Sequence, residues 1–492
     1  DHRDLHSFPT RRSSDLWCYK RRYFKHFTRL ASPEEALKKY KASFTGVVLA
    51  DELSRNAAIC ASWAEGLLVT ADEDVALRFG LPVKLDLRSR FASRFEAQQW
   101  SFEQYFPKAT RQLMCVRFPE APYMYVDYLV QHKVFPFWLD SGQWGEEPLA
   151  ELRFARNLYA SYPAGIPIIG WHAYGDPARG FQEYWGQQLA NGYGKYMLGN
   201  DFLTNSSFFS RLGVPATELK QPAPGPLPAL DKSKVYFCFD VMDAGDAPWY
   251  PQKFMRTLWD DENLGATPIT WSFTPAFLDL APAIASWYVA NLPPGDELLS
   301  AVGGIGYVMY PYYGNALANQ EEVRRHFAQI SGQYAARMGM TSVALHMGGW
   351  PEPSDYSQAG PLAQYARDAK QFTLLLPDLG RSNTTTHASA NYNLPGGAAV
   401  MHTLTRWEPH ATSAEIIART SQVSDEARIL ASSIKKAADE AGTRPLFINA
   451  YSLSWTTSPT VARQTCELLG PDYVPLSARN LARLWKQWQA RP

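Results

Sequence analysis

The run Val235-Tyr236-Phe237-Cys238-Phe239-Asp240-Val241-Met242-Asp243-Ala244-Gly245-Asp246 decides the fold class of this chain. Residues 235–241 are mostly apolar and aromatic, which predicts a strand buried on both faces, and acidic residues follow directly. Further strand-like segments lie at residues 267–271, 307–310, 342–347, 372–376, 398–403 and 446–451. Helical periodicity separates them, as over residues 320–336 and 413–441. This alternation predicts an irregular (β/α) barrel-like domain over residues 231–492, although an open doubly wound sheet would give the same pattern.

The residues before this domain also alternate between helix and strand signals. They predict an α/β region with a parallel sheet over residues 17–220, which would divide into subdomains at 17–115 and 116–220. Proline at every second position of residues 222–228 prevents both helix and sheet pairing, so residues 221–230 are expected to form an extended linker. Residues 1–16 resemble a translated sequencing adapter. They are expected to be an artefactual, disordered tail that replaces the true N-terminus, with the biological sequence starting at Trp17.

The composition argues against several classes of function. The 492 residues include 48 basic and 48 acidic side chains and no basic stripe, so no nucleic-acid partner is expected. No apolar run is long enough to span a membrane. The five dispersed cysteines form no CxxC pair, and neither GxGxxG nor GxxxxGK occurs, so we expect no metal and no cofactor. The 16 tryptophans are typical of proteins that handle carbohydrate, and the oligomeric state is left open.

Residues suited to binding and catalysis cluster at the ends of the predicted strands. In a (β/α) barrel these ends share one face of the domain. Four acids are candidate catalytic residues: Asp243, Asp246, Glu352 and Glu408. The candidate substrate-binding residues are aromatic, imidazole or amide side chains: Trp271, Tyr307, Tyr310, His346, Trp350, His402, Asn449 and Tyr451. Asp also caps helices and Trp also seals barrel ends, so the prediction depends on the cluster rather than on any single residue.

The segment Gly304-Ile305-Gly306-Tyr307-Val308-Met309-Tyr310-Pro311 is expected to form a tight aromatic turn. It resembles the signature of the GxGYxYP family, a group classed with the glycoside hydrolases, although Met309 stands where the second signature tyrosine belongs. Further segments are similar to motifs of that family, at residues 56–58, 80–81, 243–246, 265–271, 280–282, 444–449 and 468–473. The resemblance implies a carbohydrate substrate and a bacterial protein that is secreted or periplasmic.

Paired carboxyl groups fit the activity that this resemblance implies. Glycoside hydrolysis requires one protonated and one ionised carboxyl beside the scissile bond. We expect Asp243 or Asp246 to pair with Glu352 or Glu408, because a tryptophan next to either glutamate would exclude water and raise its pKa. Tyr307, Trp271 and Trp350 would stack on sugar rings.

Two other readings remain open. A metal-dependent polysaccharide deacetylase would use Asp243 or Asp246 with His346 and His402 around a divalent ion, but no closely spaced histidine pair exists. A non-catalytic carbohydrate-binding protein could have the same fold, since fold does not determine activity. A serine hydrolase is disfavoured because the chain lacks a GxSxG turn.

Overall fold

The computed structural model describes residues 30–118, 125–140, 149–172, 183–199, 203–242, 245, 247–348, 353–377, 391–401, 403–404 and 423–491. Three β-sheets with flanking helices organise these residues. The expected α/β class is confirmed: parallel N-terminal sheets precede a curled, barrel-like C-terminal sheet. Among the helices of the described ranges, none has the length and hydropathy of a membrane span.

The first sheet has three parallel strands in the order β2-β1-β3: β1 (Gly46–Leu49), β2 (Leu67–Thr70) and β3 (Val83–Asp86). Its helices are α1 (Pro33–Tyr40), α2 (Arg55–Glu65), α3 (Glu73–Phe79) and α4 (Arg94–Tyr105). Helix α1 begins where the sequence predicts, because the Ser32 hydroxyl accepts a hydrogen bond of 3.2 Å from the Glu35 amide. Helix α2 ends at Gly66, whose φ of 72° favours glycine.

The second sheet has four parallel strands in the order β5-β4-β6-β7: β4 (Met114–Val116), β5 (Pro136–Phe137), β6 (Pro167–Gly170) and β7 (Tyr196–Leu198). Its helices are α5 (Val126–His132), α6 (Leu149–Ala160), α7 (Glu183–Gly192) and α8 (Ser206–Phe209). One apolar cluster contains residues of both sheets, such as Val48 of β1 and Cys115 of β4. The first two sheets therefore share a core.

The third sheet contains ten strands: β8 (Val235–Met242), β9 (Ile269–Phe273), β10 (Glu297–Ser300), β11 (Ser342–Ala344), β12 (Leu374–Leu376), β13 (Tyr392–Asn393), β14 (Ala399–Val400), β15 (Thr403–Leu404), β16 (Leu446–Leu453) and β17 (Tyr473–Pro475). Their order is β13-β14-β12-β11-β10-β9-β8-β16-β15, and β17 pairs with β8. Its helices are α9 (Met255–Leu258), α10 (Phe277–Leu280), α11 (Pro282–Ala290), α12 (Gln320–Met338), α13 (Pro361–Asp368), α14 (Val423–Ala441), α15 (Pro459–Leu469) and α16 (Ala478–Gln489).

Strands β14 and β15 lie near opposite ends of this strand order but are close together in the sequence. Strand β14 pairs with β12 and β15 pairs with β16, although only residues 401 and 402 separate β14 from β15. The sheet therefore curls back towards itself, and the result is the irregular barrel-like form.

Strand β8 shows how side chains divide between the two faces of the curled sheet. Phe237 and Phe239 pack with most of the surrounding helices on the outer face. Tyr236 and Met242 belong to a second cluster that includes Leu481 of α16 on the inner face. All eight residues of β8 are buried, because helices pack on its outer face and side chains of the other strands, with those of α16, fill its inner face; this explains its largely apolar sequence.

Helix α16 closes the end of the sheet at which the strands begin. The Ala478 amide donates to Thr270 Oγ1 at 2.9 Å, and the Arg479 amide donates to Glu297 Oε2 at 2.8 Å. Glu297 is the first residue of β10, and a carboxylate stabilises the helix N-terminus that it faces. The carboxyl ends of the strands lie at the opposite end.

The strand expected at residues 307–310 is wrong. The third strand of the sheet is β10, and residues 307–310 lie in the loop after it. There Tyr307 and Met309 form isolated bridges with Met197 and His346. The mistake has a physical cause: β10 begins with a buried acid after a Pro-Pro-Gly-Asp turn sequence, so its composition does not suggest a strand.

The expected linker at residues 221–230 contains neither helix nor strand and lies against the third sheet. The Gln221 side chain exchanges two hydrogen bonds of 2.9 Å with the backbone of Leu298. Arg479 donates to the carbonyl of Pro222 at 2.9 Å. The segment is therefore packed rather than a free tether, and the domain limits drawn on either side of it remain predictions.

Candidate functional site

The segments that carry the four candidate acids leave the third sheet at one end. Strands β8, β11 and β15 belong to one sheet and are joined by parallel pairings, so their carboxyl ends point the same way. Asp243 directly follows β8, Glu352 follows β11, and Glu408 follows β15. These three acids lie outside the described residues, as do Asp246, Trp350 and His402.

Gly245, which separates two of those acids in the sequence, lies against strand β9. A Cβ atom at this position would lie only 2.4 Å from the Cβ of Ser272. Only glycine can approach the strand so closely, so the chain at this point runs directly over the carboxyl end of β9.

A buried acid on β8, which the sequence analysis did not select as a site residue, forms a polar group with Asn449. Asp240 is only 1% exposed, and its Oδ2 accepts a hydrogen bond of 3.3 Å from Asn449 Nδ2. The same Nδ2 donates to Thr403 Oγ1 at 2.9 Å, and Cys238 Sγ donates to Asn449 Oδ1 at 2.9 Å. Asp240 Oδ1 has no hydrogen-bond partner within the described part of the chain. The signal in the sequence was an acid inside an apolar strand.

The electrostatics of this group favour a protonated acid. Burial raises the pKa of Asp240 to about 7; the hydrogen bond from Asn449 opposes this rise, and the charge of Glu297 adds to it. Burial also raises the pKa of Glu297, against the opposing charge of Arg479. The interior of the curled sheet is therefore a poor environment for negative charge, and Asp240 lies two residues before the last residue of β8.

Tyr307 lies where the third sheet meets the second. Its amide donates to the Met197 carbonyl of β7 at 2.8 Å, and its own carbonyl accepts from the Met197 amide at 3.1 Å. Its ring contacts Trp171, which follows β6, at a centroid distance of 5.7 Å, and His346, which follows β11, at 5.5 Å. Tyr307 is half-buried, unlike the fully buried Tyr310 three residues later.

His346 has a defined hydrogen-bonding role in this aromatic group. Its Nδ1 accepts a hydrogen bond of 2.8 Å from the Gly348 amide. A neutral imidazole that accepts at Nδ1 carries its proton on Nε2. The ring therefore has a fixed tautomer, assigned from its hydrogen-bond partner. The residue is buried, at 6% exposure.

A second pair of aromatic rings, which the sequence analysis did not single out, follows strands β8 and β16. Trp249 and Trp455 stack with a centroid distance of 5.5 Å and an interplanar angle of 22°. Both are half-buried. Like Trp171, both tryptophans lie just beyond the end of a strand. The sequence contains 16 tryptophans and does not show which of their rings are in contact.

Five of the predicted substrate-binding residues are buried, and His346, described above, is one of them. Trp271 is fully buried in the outer core and donates from Nε1 to Asp296 Oδ2 at 2.9 Å, so its ring offers no face to a sugar. Tyr310 is fully buried against Tyr365. Asn449 and Tyr451 are 1% and 3% exposed on the inner side of β16. We therefore keep Tyr307 as the described stacking candidate and assign Trp271 to the core.

No group of three or more potential metal ligands occurs within the described ranges. Of the residues that the deacetylase alternative requires, only His346 is described, and its Nδ1 is already engaged by Gly348.

Comparisons with known families match two parts of the chain. A sequence model described as "GxGYxYP putative glycoside hydrolase C-terminal domain" matches residues 233–486. A second, "GxGYxYP third domain", matches residues 111–211. No curated protein matches the sequence.

A solved structure has a similar fold over nearly the whole chain. It is described as a "putative hydrolase from Bacteroides thetaiotaomicron VPI-5482", and it is 17% identical over 98% of this chain and 88% of its own, with a TM-score of 0.74. Identity this low shows a shared fold alone. The match at residues 233–486, which includes the glycine and tyrosine loop and the segments after β8 and β11, spans more than half of the sequence. The chain therefore belongs to the GxGYxYP family.

Proposed function

We propose that this protein is a glycoside hydrolase whose site lies at the carboxyl ends of the strands of the third sheet. One observation carries the proposal: the strands that precede all the candidate acids are parallel members of one curled sheet. Parallel strands of one sheet end at the same edge, so we expect the acids that follow them to lie in one region. The family to which the chain belongs is described as one of "putative glycoside hydrolase" proteins, which supports this activity. We propose a secreted or periplasmic location with it.

Two carboxyl groups on different strands perform the proposed reaction. Strand β11 stands three places from β8 in the sheet order, with β9 and β10 between them. Because the strands are separated in a curled sheet, we expect Glu352 and one of Asp243 and Asp246 to flank a bound sugar from opposite sides. Glu352 donates a proton to the leaving oxygen, and the aspartate acts as base or nucleophile. Glu408, after β15, is the alternative partner.

Aromatic rings at the same end of the sheet bind the sugar in this proposal. Tyr307 and Trp171 meet edge to face, with an interplanar angle of 84°, so they present two differently oriented ring surfaces. Trp249 and Trp455 supply a further pair after β8 and β16. Aromatic faces bind the apolar faces of pyranoses, and four rings fit an oligosaccharide better than a single sugar.

The proposal is tested by incubating the purified chain with laminarin, xyloglucan, arabinan, mannan and chondroitin sulfate, with and without a chelator. We expect reducing ends to appear from at least one polysaccharide and to be unaffected by the chelator. Asp243→Asn and Glu352→Gln keep side-chain shape but remove the ionisable group, so each should lower kcat at least a hundredfold. Glu103→Gln, at an exposed position of α4, is the matched control.

Other outcomes would overturn the proposal in distinguishable ways. Acetate release that stops with the chelator would indicate the deacetylase. Binding of a polysaccharide without any product would indicate a carbohydrate-binding protein. Full activity in both Asp243→Asn and Glu352→Gln would exclude the assigned acids.

A further inference from the structure

Helix α7 of the second sheet contacts the Tyr307 loop through a buried amide. Gln187 is 1% exposed, and its Nε2 donates to the Tyr307 carbonyl at 2.7 Å. The same carbonyl accepts from the Met197 amide, so both of its acceptor directions are used by the neighbouring sheet. The backbone of Tyr307 is therefore held by residues more than one hundred positions earlier in the chain.

One helical turn later, the Asn191 side chain also hydrogen-bonds to the backbone of this loop. Its Oδ1 accepts from the Met309 amide at 2.7 Å, and its Nδ2 donates to the Lys195 carbonyl at 2.8 Å. Its backbone carbonyl accepts from the Gly314 amide at 2.7 Å. Residues four apart lie on the same face of a helix, so Gln187 and Asn191 form one polar edge that follows the loop from Tyr307 to Gly314.

Gly306 allows the loop to lie close against strand β7. A Cβ atom at Gly306 would lie 2.6 Å from the Tyr196 ring and 2.8 Å from the Met197 carbonyl oxygen. The glycine lets the loop approach β7 closely enough for both hydrogen bonds between Tyr307 and Met197. The family motif thus joins two sheets as well as presenting an aromatic ring.

We infer that Gln187 is a positioning residue for the proposed sugar site, because it holds the Tyr307 backbone so that the ring stands between Trp171 and His346. Asn191 extends the same support to Met309. The inference rests on the proposed function for its effect on substrate, but the support itself is measurable without any substrate. Loss of the support should weaken sugar binding and leave the proton-transfer groups in place, so KM should rise more than kcat falls.

Gln187→Met is the most direct variant. Methionine keeps the length and volume of the side chain but removes the donor to Tyr307. It also removes Gln187 Oε1, which is buried with no hydrogen-bond partner among the described residues, so stability should change little. We expect hydrogen exchange in peptides spanning residues 303–316 to accelerate roughly fivefold, with peptides of β8 unchanged. Gln188→Ala, at the next and only half-buried position of α7, is the matched control.

Gln187→Glu separates the hydrogen bond from simple packing. An ionised glutamate would place a carboxylate against the Tyr307 carbonyl, whereas a protonated glutamate can donate to it. At each pH the exchange rate of residues 303–316 is therefore compared with that of the wild type at the same pH. The ratio of the two rates should be large at high pH and approach one as the pH falls, whereas a residue that only fills space would give a ratio independent of pH.

The same variants are then compared for retardation in gels containing each of the five polysaccharides. Weaker retardation of Gln187→Met and Tyr307→Ala, by a factor of roughly five, supports the inference. If Tyr307→Ala weakens binding but Gln187→Met leaves both exchange and binding unchanged, the positioning role is overturned and the proposed function stands. If Gln187→Met accelerates exchange but neither variant alters binding, Tyr307 is not a sugar platform and the sugar-binding part of the proposed function fails.

Discussion

Strand β9 and the loop of residues 303–313 each carry a conspicuous aromatic ring, and they hold it in different ways. In β9, Trp271 is enclosed by its own sheet and its helices, and its Nε1 is bound to buried Asp296. In the loop, Tyr307 is anchored by backbone contacts to another sheet, and the residue is only half-buried. A strand covered on both faces buries every ring that it carries, whereas a loop beyond a strand end can present one.

The polar groups of the two regions differ in the same way. Buried acids support the strands: burial raises the pKa of Asp296 to about 7, against the hydrogen bonds from Trp271 and Ile269. Neutral amides support the loop, through Gln187 and Asn191. We therefore expect the stability of the strand region to depend on pH, and the shape of the loop to depend on close packing and on hydrogen bonds without charge.

The largest effect should follow Gly304→Ala in the loop. Gly304 has a φ of 124°, and a Cβ there would lie 2.4 Å from Ser331 Oγ and 2.6 Å from Tyr365 Oη. Strain and overpacking together should cost about 3 kcal/mol in the free energy of unfolding, measured by urea denaturation. Gly396→Ala, with a φ of 93° and no atom within 4 Å, isolates the backbone strain and should cost about 1 kcal/mol. Equal costs would mean that the loop is not tightly packed.

A smaller effect is expected from Trp271→Phe in the strand region. It removes the donor to Asp296 and leaves a small cavity, so unfolding free energy should fall by about 2 kcal/mol. The loss should be greater at pH 8 than at pH 5, because above its raised pKa Asp296 is ionised and loses a charge-assisted bond. Polysaccharide binding should not change. Weakened binding in Trp271→Phe, with unaltered stability, would contradict the assignment of this ring to the core.

Asp240→Asn should change how the free energy of unfolding depends on pH. The pKa of Asp240 rises from 3.8 to about 7 on folding, so between these values the folded chain binds a proton that the unfolded chain has lost. Stability conferred by this group is therefore present at low pH and lost as pH rises to about 7, at about 1.36 kcal/mol per pH unit. The variant should show a correspondingly shallower decline between about pH 4 and 7. Glu103→Gln serves as control, and an unchanged slope in Asp240→Asn would refute the burial argument.

The sequence predicts buried strands well and predicts poorly a loop that is held by another sheet. Strand β8 was expected at residues 235–241 and is found at Val235–Met242, because an apolar run buried on both faces is a local signal. The loop was mistaken for a strand, since its form depends on Gln187, Asn191 and Met197 in a different sheet. Such long-range contacts leave no local pattern.

The same difference between local and long-range signals applies to the residues of the candidate site. The sequence predicts both a strand at residues 307–310 and a tight aromatic turn at 304–311, and only the turn agrees with the structure. It also cannot tell that Trp271 is core while Trp171 contacts Tyr307, since both tryptophans end strand-like runs. Asp240 was passed over because the acids after the strand attract more attention than one within it. The roles of Asp243, Asp246, Glu352 and Glu408 remain predictions.

The central claim, that a polysaccharide binds at the carboxyl ends of the third sheet, is tested most directly by hydrogen exchange of the Glu352→Gln protein with and without each polysaccharide. Peptides spanning residues 243–254 and 303–316 should become protected, together with peptides after β6 that contain Trp171. Peptides of α16, at the opposite end of the sheet, should exchange at the same rate in both states. Protection confined to α16 or to the first sheet, or no protection by any of the five polysaccharides, would contradict the account.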